Sequence, residues 1–134
     1  MHKIILSKKH NQILKEHAKS KKPNESCAIL FGKDSKVLEV YLTENIEESP
    51  TNFTISNTEL INAYKVAEEK NLDIIGIFHS HPNSEAYPSN TDKKFMKINP
   101  VVWIIYSNLK DQFRAYHLDS EPIEIQILEE SLQD

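Results

Sequence analysis

Three short runs of nearly unbroken apolar residues set the limits on what this chain can fold into: Cys27 to Phe31, Asp73 to Phe78 and Val101 to Tyr106. They are too short for helices that carry a buried face, and they are rich in β-branched and aromatic side chains, so each reads as a buried strand. Gly32-Lys33-Asp34-Ser35 makes a hairpin turn after the first. Lys36 to Leu42 returns as a strand, with Val37, Glu39 and Tyr41 alternating against Leu38, Val40 and Leu42. Lys3 to Leu6, Phe53 to Ile55, Gln112 to Leu118 and Ile123 to Leu128 are further strand candidates. Between them the period changes. Ser7 is placed to cap a helix to about Lys19, with Ile13, Leu14 and Ala18 on one side. Asn57 or Thr58 is expected to cap a second helix to about Lys70, facing inward through Leu60, Ile61, Tyr64 and Ala67. A short third helix carries Phe95, Met96 and Ile98. The pattern predicts an α/β or α+β fold: a mixed β-sheet flanked by two longer helices and one short one. With 134 residues, 39% of them hydrophobic, and no repeat or linker, residues 1–134 are expected to form one domain.

Charge and cysteine usage narrow the function. The net charge of -4 disfavours nucleic acid as a partner. Residues 1–22 hold seven Lys and one Glu, and residues 119–134 hold six acids and no base. These are expected to be two solvated faces, with a charged docking surface as the alternative. Cys27 is the only cysteine, so neither an intramolecular disulfide nor a Cys-x-x-Cys metal clip can form. A lone thiol fits a reducing compartment. No stretch resembles a signal peptide or a membrane span, so a soluble, cytoplasmic protein is expected.

The chemistry concentrates where the second apolar run ends, at Gly76-Ile-Phe-His79-Ser-His81-Pro82. Side chains two apart on a strand point the same way, so both imidazoles can reach one point. Neutral imidazole ligates zinc at about 2.0–2.1 Å, and two histidines need a third protein ligand. Asp92 is the candidate. Ser89-x-x-Asp92 is also a capping box, which needs no metal. The two readings are compatible, because a helix N-terminus keeps a carboxylate ionised. Two His and one Asp leave a fourth tetrahedral position for water, the pattern of a catalytic zinc site. Hydrolysis then needs a base, and Glu25, just before the first buried strand, is the candidate outside the cluster. Other groups carry plainer readings. His2, His10 and His17 are expected at the surface, His117 packed or at a strand edge, Cys27 as a buried thiol, Ser84 in a loop and Trp103 in the core.

These residues together resemble the JAMM (MPN-type) metalloprotease family. Its pattern is an upstream Glu, then His-x-His, seven residues, Ser, two residues and Asp. Here it reads Glu25, His79-Ser80-His81, Pro82 to Pro88, Ser89, Asn90-Thr91 and Asp92. Glu25-Ser-Cys27-Ala-Ile-Leu-Phe-Gly32 resembles the family's first conserved strand, with Ala28 where many members have Gly. The resemblance implies a fold similar to that of cytidine deaminases. The deaminase site itself is excluded, since it needs Pro-Cys-x-x-Cys. The resemblance further implies one Zn²⁺ on His79, His81 and Asp92, Glu25 as general base and acid, and Ser89 stabilising the oxyanion or orienting water. It implies cleavage of the amide bond between the C-terminal Gly-Gly of a ubiquitin-like modifier and a lysine. The alternatives are trimming of a sulfur-carrier protein's C-terminus, or a non-catalytic MPN-type binding module. A DNA-repair-associated relative is disfavoured by the acidic balance. The loop Thr43 to Asn52 lies where deubiquitinating relatives grip the substrate tail, and a plain connecting loop is the alternative. With 42 residues after Asp92, the second insertion of polyubiquitin-specific members is not expected.

Overall fold

The computed structural model describes residues 3–130. Its elements are β1 (Lys3–Ser7), α1 (Lys8–Lys21), β2 (Cys27–Lys33), β3 (Lys36–Thr43), α2 (Asn57–Glu69), β4 (Asp73–His81), α3 (Asn90–Ile98), β5 (Val102–Ser107), β6 (Gln112–Leu118) and β7 (Pro122–Glu130). The mixed sheet and the three helices match the sequence pattern. The sheet also closes. Its order is β1-β3-β2-β4-β5-β6-β7, and β1 pairs parallel with β7 over five residues, from Lys3↔Gln126 to Ser7↔Glu130. β1 meets β3 at the single bridge Ile5↔Lys36. The closure sets β1 beside β7, and at its edge Lys36 of β3 lies 2.6 Å from Glu130. Both side chains are solvated, so the pair contributes little by itself.

The three apolar runs are central strands because both of their faces are covered. Ala28 and Leu30 of β2 point inward with Leu6, Leu14, Phe78 and Ile104. Ile29 and Phe31 point outward and are covered by Ala63 and Ala67 of α2. β2 and β3 need a glycine where their register shifts. A Cβ at Gly32 would lie 2.0 Å from Lys36 O.

Four expectations are corrected by the structure. The inward face of α2 is Leu60, Ala63, Val66 and Ala67, while Ile61 and Tyr64 are 55% and 62% exposed. Two faces of that helix offer apolar residues at helical spacing, and the one with alanines approaches the sheet most closely. Its cap is Ser56, which accepts from Glu59 N. Phe53 to Ile55 forms no strand, because the side chain of Asn45 takes the backbone groups a ladder would use. Asn45 Nδ2 donates to Asn52 O at 2.9 Å, and Asn45 Oδ1 accepts from Thr54 N at 3.1 Å. His17 is buried rather than exposed, its Nε2 3.0 Å from Cys27 O. His10 is half-buried, and His2 lies outside the described residues. Among the described residues no helix is long and apolar enough to cross a membrane.

Candidate active site

β4 delivers both histidines from a rigid base. β5 runs beside it in parallel register to the end, through His79↔Ile105, Ser80↔Tyr106 and His81↔Ser107. The following loop folds back because three side chains hold its carbonyls. Ser107 Oγ donates to Ser84 O at 2.7 Å, and Tyr116 Oη to Ala86 O at 2.6 Å. His81 Nδ1 donates to Glu85 O at 2.8 Å. That bond leaves Nε2 of His81 as a lone pair facing the site, the usual support for a metal-ligating imidazole. Ser84 is thus in a loop, as expected.

The returning chain enters α3 through Ser89 and Asp92, and the capping box is present. Ser89 Oγ accepts from Asp92 N at 3.0 Å, and Asp92 Oδ2 accepts from Ser89 N at 2.9 Å. The same Oδ2 lies 3.0 Å from His79 Nε2 and 3.1 Å from His81 Nε2. The two Nε2 atoms are 3.1 Å apart. Capping and convergence on the histidines therefore coexist in one carboxylate. His79, His81 and Asp92 form a compact buried group that could hold a metal ion. Ligands at zinc distances in tetrahedral array would stand about 3.3 Å apart, close to the triangle seen.

Electrostatics favour a cation at this point. Burial acts to raise the Asp92 carboxyl, but His79, His81 and the Ser89 N–H hold it below the usual carboxylate range. Burial lowers His79. Burial acts the same way on His81, but its bonds to Asp92 and Glu85 override it, so its basicity is raised. Glu25 is 3% exposed, and its Oε1 has no hydrogen-bond partner. Burial pushes its carboxyl up to about 8, and Asp92 adds to this while His81 opposes it. A buried carboxyl oxygen without a partner, acted on by His81 and Asp92, leaves negative charge at this end of the sheet that a cation would offset. Glu25 is anchored through its backbone, with Glu25 N donating to Ser49 O at 2.8 Å and Glu25 O accepting from Asn45 Nδ2 at 3.1 Å.

Three contributors stand outside the sequence motif. Phe53 stacks on the His79 ring at 4.7 Å, and Trp103 meets it edge-on at 5.7 Å. Asn45 joins Glu25 to the loop after β3. Asn45 lies in a polar stretch that gives no periodic signal, and Phe53 reads as one more apolar residue, so only tertiary contacts reveal them. Phe53 and Trp103 also wall an apolar groove of about 320 Å³ with Ile55, Leu60, Phe95 and Ile98. Cys27 is buried, its thiol pushed up to about 12 by burial, which removes it as a nucleophile. His117 is half-buried on β6.

Residues 7–119 match the family described as prokaryotic homologs of the JAB domain. The desampylase of Pyrococcus furiosus is 39% identical over 97 residues, covering 72% of this chain and 69% of that protein. The CysO-cysteine peptidase of Mycobacterium tuberculosis is 29% identical over 108 residues, covering 76% of this chain and 73% of its own. Among solved structures, a Desulfitobacterium hafniense protein superposes with a TM-score of 0.86 at 29% identity, over 96% of this chain and 93% of that one.

Proposed function

This chain belongs to the prokaryotic JAB-domain family, and on that premise we propose that it is a zinc-dependent isopeptidase acting on conjugates of a ubiquitin-like modifier. The observation that carries the reading is the convergence of His79 Nε2, His81 Nε2 and Asp92 Oδ2 beside the unpartnered carboxyl of Glu25. The names of the desampylase and the CysO-cysteine peptidase support hydrolysis at the C-termini of modifier or carrier proteins.

In this reading His79, His81 and Asp92 hold the metal. Zn²⁺ bound there supplies Lewis acidity to a scissile carbonyl and acidifies water. Glu25 takes the proton of the attacking water and returns it to the leaving lysine amine. Burial raises the proton affinity of Glu25 in the metal-free protein, and a cation held beside it would draw the carboxyl back to the ionised form that a base requires. Ser89 Oγ already accepts from Asp92 N, which leaves its O–H to donate to the oxyanion or the water. The groove from Phe53 to Ile98 opens beside the site and takes an apolar residue of the modifier's extended tail. The second reading, trimming of a sulfur-carrier C-terminus, is favoured by the name of the mycobacterial relative.

A cleavage assay on zinc-loaded protein separates the two. It offers ubiquitin-like proteins joined to lysine by an isopeptide bond beside linear fusions extended past Gly-Gly. Cleavage of the isopeptide substrates that Glu25→Ala abolishes, at unchanged zinc content, is the expected result. Cleavage of linear tails alone selects the sulfur-carrier reading. A folded protein that takes up no zinc and cleaves neither selects the binding module.

A further inference from the structure

Between the two imidazoles, the hydrogen-bond ladder of β2 and β4 changes its chemistry. The strands run in antiparallel register down to Cys27↔His79. An antiparallel hydrogen-bonded pair exchanges two main-chain bonds. At Ser26 and Ser80 only one is main chain to main chain, from Ser80 N to Ser26 O at 3.0 Å. The return bond runs from Ser26 N to the side-chain Oγ of Ser80 at 2.8 Å. Ser26 Oγ donates to the same oxygen at 2.9 Å. Both serines are buried, at 1% and 0% exposure, so bulk water cannot replace these bonds.

A hydroxyl thus does what a carbonyl does in a regular ladder, and β2 departs from the sheet at Ser26. The next residue outward is Glu25. Its own main-chain groups bond to Ser49 and Asn45, in the loop, and not to β4. The link from Glu25 to the histidine strand therefore runs through Ser26, by one main-chain bond from Ser80 N and two bonds to the Ser80 hydroxyl. The histidines have a second support, since β5 holds residues 79–81 in register from the other side.

We propose that Ser80 is a positioning residue whose hydroxyl sets the spacing between the Glu25 carboxyl and the cluster of His79, His81 and Asp92. This rests on the assignment of Glu25 as the base. Removing the hydroxyl leaves Ser26 only its bond from Ser80 N and loosens the Glu25 segment, while β5 still holds His79 and His81 on β4. A role in general stability would instead weaken both together.

The test compares the parent protein with Ser80→Ala, Ser80→Thr and Ser26→Ala, each zinc-loaded. Zinc affinity is read by competition with a chromophoric chelator, amide exchange by NMR, and turnover on the substrate the parent cleaves. In Ser80→Ala, zinc affinity should stay within about threefold of the parent, while kcat falls about 10–100-fold and KM moves less than about twofold. The Ser26 amide should exchange at least about tenfold faster, with the His79 and His81 amides unchanged. Ser80→Thr keeps the hydroxyl and should restore all three readings. Ser26→Ala keeps the main-chain bond to Ser80 Oγ and should fall between. A Ser26 amide that stays protected in Ser80→Ala overturns the proposal, as does zinc affinity lost in step with kcat. If the parent cleaves nothing, the hydrolase reading fails, and exchange and affinity still decide whether Ser80 holds the Glu25 segment apart from the ligands.

Discussion

Ionising the buried Glu25 carries a cost that protonation or a nearby cation removes. Its carboxyl is buried, one oxygen lacks a partner, and its pKa rises from the ordinary 4.5 to about 8. A carboxyl raised in the folded state favours folding fully below its unfolded pKa. That contribution is lost as pH rises through the folded value, because the unfolded chain then releases the proton more readily. Each unit of separation corresponds to roughly 1.4 kcal/mol. Metal-free protein should therefore lose several kcal/mol of this contribution between pH 4.5 and about 8. Glu25→Gln cannot ionise and should lack that part of the slope, so at pH 9 the metal-free variant should exceed the parent in stability. Urea unfolding of both proteins at pH 5 and pH 9 measures this. Parallel pH slopes would mean that the Glu25 carboxyl is solvated in solution. Asp92 acts in the opposite sense. Its lowered pKa places its loss of stability on the acid side, outside this window.

At the scale of elements, two side chains organise the loop after β3: Ser49, whose Oγ accepts from Thr51 N and Asn52 N, and above all Asn45. Asn45 makes four hydrogen bonds: donors to Glu25 O and Asn52 O, acceptors from Glu47 N and Thr54 N. Thr54 Oγ1 also donates to Glu47, closing the loop on itself. Asn45→Ala should cost about 1–3 kcal/mol through the partly buried groups it strands. It should also speed proteolysis within residues 44–55, and an unchanged cleavage rate there would show that the loop is held by other contacts. The difference between Asn45 and Asp92 explains what could be read before the structure. Asp92 sits in a motif of fixed spacing on a strand, loop and helix that are contiguous in sequence, so local geometry alone brings it near His79 and His81. Asn45 acts across the sheet on Glu25 and on a segment seven residues on, through a side chain whose polar surroundings resemble any loop. The same division holds for α2, where apolar spacing reveals a helix but not which of two apolar faces meets Ile29 and Phe31. It holds again for β1 and β7, whose parallel pairing joins the two ends of the described chain and leaves no local signal.

The whole molecule is held together by its apolar interior, and the proposed zinc would add a second tie that chelation can test. The barrel interior is filled by Leu6, Leu14, Leu30, Phe78 and Ile104, apolar groups that need no ion. The cluster that could hold a metal brings His79 and His81 from β4 and Asp92 from α3. A cation there ties α3 and its loop to a sheet that is already complete. Chelation should therefore leave a folded protein, unlike a small zinc module that unfolds without its metal. Zinc should add stability by mass action alone, about 2.7 kcal/mol at a free concentration one hundred times its Kd. For a chain of this size that is an upward shift in Tm of roughly 10 °C. Glu25→Ala should keep the shift, because Glu25 is not a ligand in this arrangement. Asp92→Ala should lose most of it, since two imidazoles alone hold zinc poorly. Thermal unfolding of the three proteins, with zinc and with chelator, reads all of this in one experiment. Outright unfolding of the parent on chelation would make the cluster a structural staple, and an equal zinc shift in Asp92→Ala would remove Asp92 from the ligand set.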